Sequence, residues 1–140
     1  MYQKDFILRM IEMMGDLIAA LMGRIRKGEF PKATEMLDNL YHDLLKEDAA
    51  FFRAIPQDQL TVKLIQEHHY TNGHLQILAE LFYAEAELRY AQGMKTVSAE
   101  FYAKSLHLLE FLNTASRTFS IEQQDRMKAI QSRLLEVQTL

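Results

Sequence analysis

The residues of this chain with the most chemistry in one short run are in Glu67-His68-His69-Tyr70-Thr71-Asn72-Gly73-His74. Three imidazoles beside a carboxylate are the raw material of a zinc site, which makes His68, His69 and His74 the candidate metal ligands. Their spacing works against that use. Neighbouring residues on a helix point about 100° apart, and the i, i+4 histidine pair of a metal-binding helix is missing, because position 72 is Asn and position 73 is Gly. The run therefore reads as a helix end with histidines near the negative end of the helix dipole, and the expected metal set is none. If the segment did bind something, the chain would be a small-molecule or metal-binding helical bundle using the His68 to His74 region.

Paired carboxylates are the next candidates. Glu85 with Glu87, and Asp43 with Glu47, could do acid-base work if they lined a dry pocket. On amphipathic helices they read as solvated faces, and Glu85, four residues before Arg89, reads as a surface ion pair. No Gly-rich phosphate loop, nucleophile elbow or dinucleotide fingerprint is present. With no Cys there is no disulfide, thiolate metal site or cysteine nucleophile. The expectation is a protein with no catalytic residues and no cofactor, hence not an enzyme.

Charge and hydropathy narrow the partners. Sixteen Lys and Arg are interspersed with 19 Asp and Glu for a net charge of -3, whereas nucleic-acid affinity needs clustered cations. No direct nucleic-acid binding is expected. The longest unbroken apolar stretch, Leu17 to Met22, is far below the roughly 18 residues of a membrane span. The start of the chain lacks a signal-peptide pattern, and Arg9, Glu12 and Asp16 give the first helix a mixed polar face unsuited to anionic lipid. A cytoplasmic protein without membrane contact is expected.

The elements that would position these residues are helices throughout. A 16.4 kDa chain buries roughly 68% of its unfolded surface, enough for one core. Apolar residues at Phe6, Ile7, Met10, Ile11, Met14, Leu17, Ile18, Leu21, Met22 and Ile25 form one wide stripe on a long helix, about 3-27. Arg24, Arg26 and Lys27 suit its C-terminal dipole. Gly15 and Gly23 inside it are either tolerated or let a neighbouring backbone come close. Gly28 stops that helix and Pro31 opens a second, ending near Lys46. An irregular segment, about 47-57, is pinned by Phe51, Phe52 and Ile55 ahead of Pro56. A short helix should follow from about Asp58 to His69, then one over about 73-92 and one over about 95-113. Ser120-Ile121-Glu122-Gln123 has capping-box spacing and predicts a last helix over about 121-138.

The two Gly-centred joints resemble each other. Arg26-Lys27-Gly28-Glu29-Phe30-Pro31-Lys32-Ala33 stands beside Ala91-Gln92-Gly93-Met94-Lys95-Thr96-Val97-Ser98, with the glycines 65 residues apart. Both are similar to the middle of a tetratricopeptide repeat, whose small residues let one helix approach another while large ones fill the groove. The second copy keeps Phe82, Ala86, Gly93, Ser98, Tyr102 and Ser105; it departs at Glu85, where leucine is usual, and at Glu110, where proline is usual. The first keeps Gly28, Ala33 and Leu37, but Leu17, Leu21 and Leu40 replace an aromatic and two small residues. The run Asp5-Phe6-Ile7-Leu8-Arg9-Met10-Ile11-Glu12 and the order of segments also resemble a family of small uncharacterised bacterial proteins of unknown function, which implies a fold and a bacterial origin but no activity.

The resemblance implies an all-α fold: one domain over 1-140, antiparallel helix pairs stacked as a short, degenerate, tetratricopeptide-like right-handed superhelix of five to six helices, with repeat-like units about 14-46 and 79-112. In that register the concave, partner-binding face takes Ile18, Met22 and Ile25 from the first unit and Tyr83, Glu87 and Tyr90 from the second. Exposed Ile, Met and Tyr suit an apolar peptide, a partner helix or a second copy of the chain. The first helix is rich in the adaptable side chain of methionine at Met1, Met10, Met13, Met14 and Met22. The expected function is a non-enzymatic protein-protein interaction or self-association module, as a homo-oligomer.

Overall fold

The same hydrogen-bonded turn closes two helix pairs in this chain. The computed structural model describes residues 2-115 and 120-138, and among these it contains seven α-helices and no strand. They are α1 (Tyr2–Arg26), α2 (Phe30–Leu45), α3 (Ala49–Arg53), α4 (Leu60–Val62), α5 (Asn72–Ala91), α6 (Lys95–Ala115) and α7 (Ile121–Gln138). After α1 the Gly28 N-H donates to the Ile25 carbonyl and the Glu29 N-H to that of Arg24; after α5 the Gly93 N-H donates to Tyr90 and the Met94 N-H to Arg89. This pairing is the Schellman motif. It requires a left-handed residue, supplied by Gly28 at φ 75° and Gly93 at φ 81°. The next helix then starts alike in both, with Ala33 bonding back to Glu29 and Ser98 to Met94, each at 2.9 Å.

The helix count exceeds the five to six expected. Pro56 does forbid a helix through its own position, but one turn, α3, closes before it, with Phe52 and Ile55 buried beneath. Beyond Pro56 the expected single helix is three pieces: a 3-10 turn at Gln57–Gln59, then α4, then a π turn at Lys63–Glu67. The last helix starts from the capping box, the Gln123 N-H donating to Ser120 Oγ and the Ser120 N-H to Gln123 Oε1.

Helix α5 is the centre of the molecule and is buried on nearly every side, through Leu75, Ile77, Leu78, Leu81, Phe82 and Leu88. On one side it packs antiparallel against α6. There the small residues allow close approach: Ser98 Oγ donates to the Ala86 carbonyl at 2.9 Å and Ser105 Oγ to that of Ala79 at 2.7 Å. On the other side lie α1 and α2, and α7 lies over α6 and the edge of α5. Ion pairs at one constant offset, Glu80 to Arg126 and Glu87 to Arg133, set α7 parallel to α5.

Helix α1 comes close to α5 at Gly73, where an added Cβ would overlap Ile7 Cγ2 and meet Ile11 Cδ1. Gly15 and Gly23 have open space at the Cβ position, so neither supports a close approach. Because Ile7 is β-branched and buried, it has little freedom to retreat. Gly73→Ala is expected to destabilise the protein by about 1–3 kcal/mol through overpacking, and Ile7→Ala, which removes the overlapping Cγ2, to cost less in that chain than in the original. Urea unfolding of the single and double variants checks this; additive losses would count against the contact.

Candidate functional site

Ile18, Met22, Ile25, Tyr83, Glu87 and Tyr90 all line one groove of about 640 Å³. Gly15, Ala19 and Arg26 complete the α1 wall, α5 forms the floor, and Arg126 and Arg133 of α7 form the opposite wall. The face is less open than the spacing implied. Ile18 and Ile25 are buried, while Met22, Tyr83, Glu87 and Tyr90 are half-buried. Met13, beside the stripe that packs on α5 and α2, is 46% exposed.

What covers the tyrosines is a polar unit that occurs twice. The Arg126 guanidinium lies 3.9 Å from the centre of the Tyr83 ring and its Nε donates to Glu80 Oε2 at 2.9 Å. Seven residues further along both helices, the Arg133 guanidinium lies 4.0 Å from the Tyr90 ring centre and pairs with Glu87 at 3.4 Å. Arg133 also donates to the Tyr102 hydroxyl, and Tyr90 donates to Glu136 at 2.6 Å. Guanidinium on an aromatic face combines ring electrostatics with bidentate donor geometry. Burial, reinforced by Glu87, pushes the Tyr83 phenol up to about 12, so it stays a neutral donor. Neither arginine was singled out from the sequence; the available signal was the seven-residue spacing shared by Glu80/Glu87, Tyr83/Tyr90 and Arg126/Arg133.

The carboxylate pair Glu85 and Glu87 does not form a site, because the two side chains point to different places. Glu87 lines the groove, whereas Glu85 is fully buried on another side of α5. Its expected role as a surface pair is therefore corrected. Glu85 accepts from Arg53 Nε at 2.8 Å, from Arg89 at 3.0 Å and from the buried Tyr41 hydroxyl at 3.3 Å. Arg53 reaches Asp38 at 2.6 Å with its other nitrogen, and its carbonyl accepts from Lys104 Nζ at 3.0 Å. One carboxylate thus ties α2, α3 and α5 together. The sequence signal was its position in the apolar run Leu81-Phe82-Tyr83-Ala84-Glu85-Ala86. Asp43 is exposed on α2.

The histidines are also separated. His68 packs edge-on against Phe51 at 4.9 Å between ring centres, and His69 is exposed with φ 57°. His74 stacks on Tyr70 at 4.6 Å and sits in the first turn of α5, where its Nδ1 accepts the Thr71 N-H at 3.0 Å. That corrects the expectation of a histidine at a helix C-terminus: His74 closes a capping box at an N-terminus, a place usually taken by Glu or Gln. Among the described residues no group of three or more His, Asp or Glu side chains is placed to hold a metal ion, and none of their helices is long and apolar enough to cross a membrane.

His74 makes stability depend on pH in one direction. Burial lowers its pKa below the ordinary value of about 6.5, and protonation would turn its accepting nitrogen into a donor. The unfolded chain then takes up the proton first. Stability is fully present above about pH 6.5 and falls as pH drops from there through the folded-state pKa. His74→Gln keeps an acceptor without a titrating ring, so its unfolding midpoint should lose this part of the slope below about pH 6.5. An unchanged slope would show that His74 is not its source.

No protein family, curated protein or solved structure matches the chain.

Proposed function

We propose that this chain is a non-enzymatic protein-protein interaction or self-association module of tetratricopeptide-like build, whose groove between α1, α5 and α7 receives a segment of a partner protein. The observation that carries the reading is the convergence of Ile18, Met22, Ile25, Tyr83, Glu87 and Tyr90 on one groove. Its apolar wall and its fixed polar wall suit an amphipathic segment more than a small polar metabolite. The matching turns at Gly28 and Gly93 and the parallel run of α1, α5 and α7, set by the equal offsets of their contacts, support the repeat-like build. In a superhelix of this kind the first helix of each pair faces the concave side.

The test is capture of partners from the native cell with tagged protein, together with sedimentation of the purified chain. Met22→Glu places a charge in the groove at a half-buried position. The expected result is a partner, or a species larger than 16.4 kDa, that is lost at least tenfold with Met22→Glu while the unfolding midpoint stays close to the original. Equal recovery with both chains would overturn the role of the groove.

A further inference from the structure

The way α7 is held differs in kind from the way the other long helices are held. Ten side chains of α5 and seven of α6 are buried, whereas among the described residues of α7 only Ile130 is. Met127 and Leu134 pack half-buried against the core. Ile121 and Leu135 are exposed. Its polar attachment to α5 is the doubled arginine unit together with the Tyr90–Glu136 hydrogen bond, and the charged groups are partly open to water and therefore weakened by salt.

The face that α7 covers specifies its occupant. Glu80 and Glu87 call for two cations seven residues apart on a parallel helix, and the rings of Tyr83 and Tyr90 call for those cations to be flat guanidinium groups. An apolar side chain must stand four residues after the first arginine, where Ile130 is buried. We propose that α7 is an exchangeable helix: it leaves the α5–α6 face as a unit, and in a pair of copies the α7 of one occupies that face of the other. A second copy meets every requirement, because the contacts in the pair are those already made within one chain; exchange of an identical element is a low-cost route to a dimer. This rests on the reading of the chain as a self-association module and adds a contact with a second copy through α7, apart from the groove that Met22 lines.

Two reciprocal variants test it. One chain carries Arg126→Glu with Arg133→Glu and the other Glu80→Arg with Glu87→Arg, so that each helix is repelled by its own face and fits the other chain's. Alone, each should show α7 amides exchanging at least tenfold faster than in the original protein. Mixed one to one, they should form a two-chain species of twice 16.4 kDa with α7 protection restored. A mixture that stays at 16.4 kDa with α7 unprotected would overturn the proposal. If the variants fail to fold, amide exchange in the original chain decides. Exchange in α7 at least tenfold faster than in α5, and faster still in 1 M salt, is the expected result; α7 exchanging at the rate of α5 would show that it leaves only with global unfolding. Met22 lies on α1, outside this face, so partner capture and mixed-complex formation are read separately and either can fail with the other intact.

Discussion

Glu85→Ala is expected to destabilise the protein by about 3 kcal/mol, the lower end of what removing one partner of a buried ion pair costs. The loss has two parts. The buried Tyr41 hydroxyl is left without its acceptor, at about 1–3 kcal/mol for an unsatisfied buried group, and Arg53 and Arg89 lose the charge that lies between them. The value stays at the lower end because both arginines are partly exposed and Arg53 keeps Asp38. Desolvation by burial works against the Arg53 charge, yet Glu85 and Asp38 outweigh it and hold the guanidinium above its usual range. A chain carrying Glu85→Leu, Arg53→Met, Arg89→Leu and Tyr41→Phe removes all the polar partners at once. It should lie within about 1–2 kcal/mol of the original, since replacing a whole buried ionic group by apolar residues is often near neutral. Urea unfolding measures both. A loss below about 1 kcal/mol for Glu85→Ala would mean the carboxylate behaves as an exposed pair.

Phe82→Ala is expected to cost about 3–5 kcal/mol, as large-to-small changes of buried aromatics do. Phe82 is fully buried and sits where α5 meets α2 and α6. Its ring centre is 5.8 Å from that of Phe101 and 6.3 Å from that of Tyr41, with Lys104 Nζ 5.7 Å away. The substitution removes the aromatic pairs as well as the buried area and leaves a cavity between three helices. Against a typical total of about 5–15 kcal/mol, this is enough to bring unfolded protein within reach of measurement. The urea midpoint should fall sharply with its slope unchanged. A shift no larger than that of an exposed control, Glu110→Ala, would show the site to be far looser than its burial implies.

Helix type and most helix ends could be read from the residues because the interactions that set them are local. The stripe from Phe6 to Ile25, the left-handed glycines at 28 and 93 and the Ser120–Gln123 capping box each act within one or two turns of backbone. The region around Pro56 was harder, because short turns there depend on burying Phe52 and Ile55 against other helices. The six groove residues could be grouped from the 65-residue offset between the two joints, since equal offsets on parallel helices bring equal positions face to face.

Long-range contacts decided the rest. Nothing within four residues of Glu85 shows that Arg53 and Tyr41, 32 and 44 positions away, will close over it. Nor does anything near Tyr83 and Tyr90 show that arginines from α7 will lie on their rings. His74 caps α5 only because Thr71 takes an extended backbone beside it. Periodicity reports which side of a helix is apolar, so the sequence by itself determined the helices and a shared face for the groove residues. Which partner each face meets depends on the packing of distant segments, and only the tertiary structure decided the burial of Glu85 and the cover that α7 places over the tyrosines.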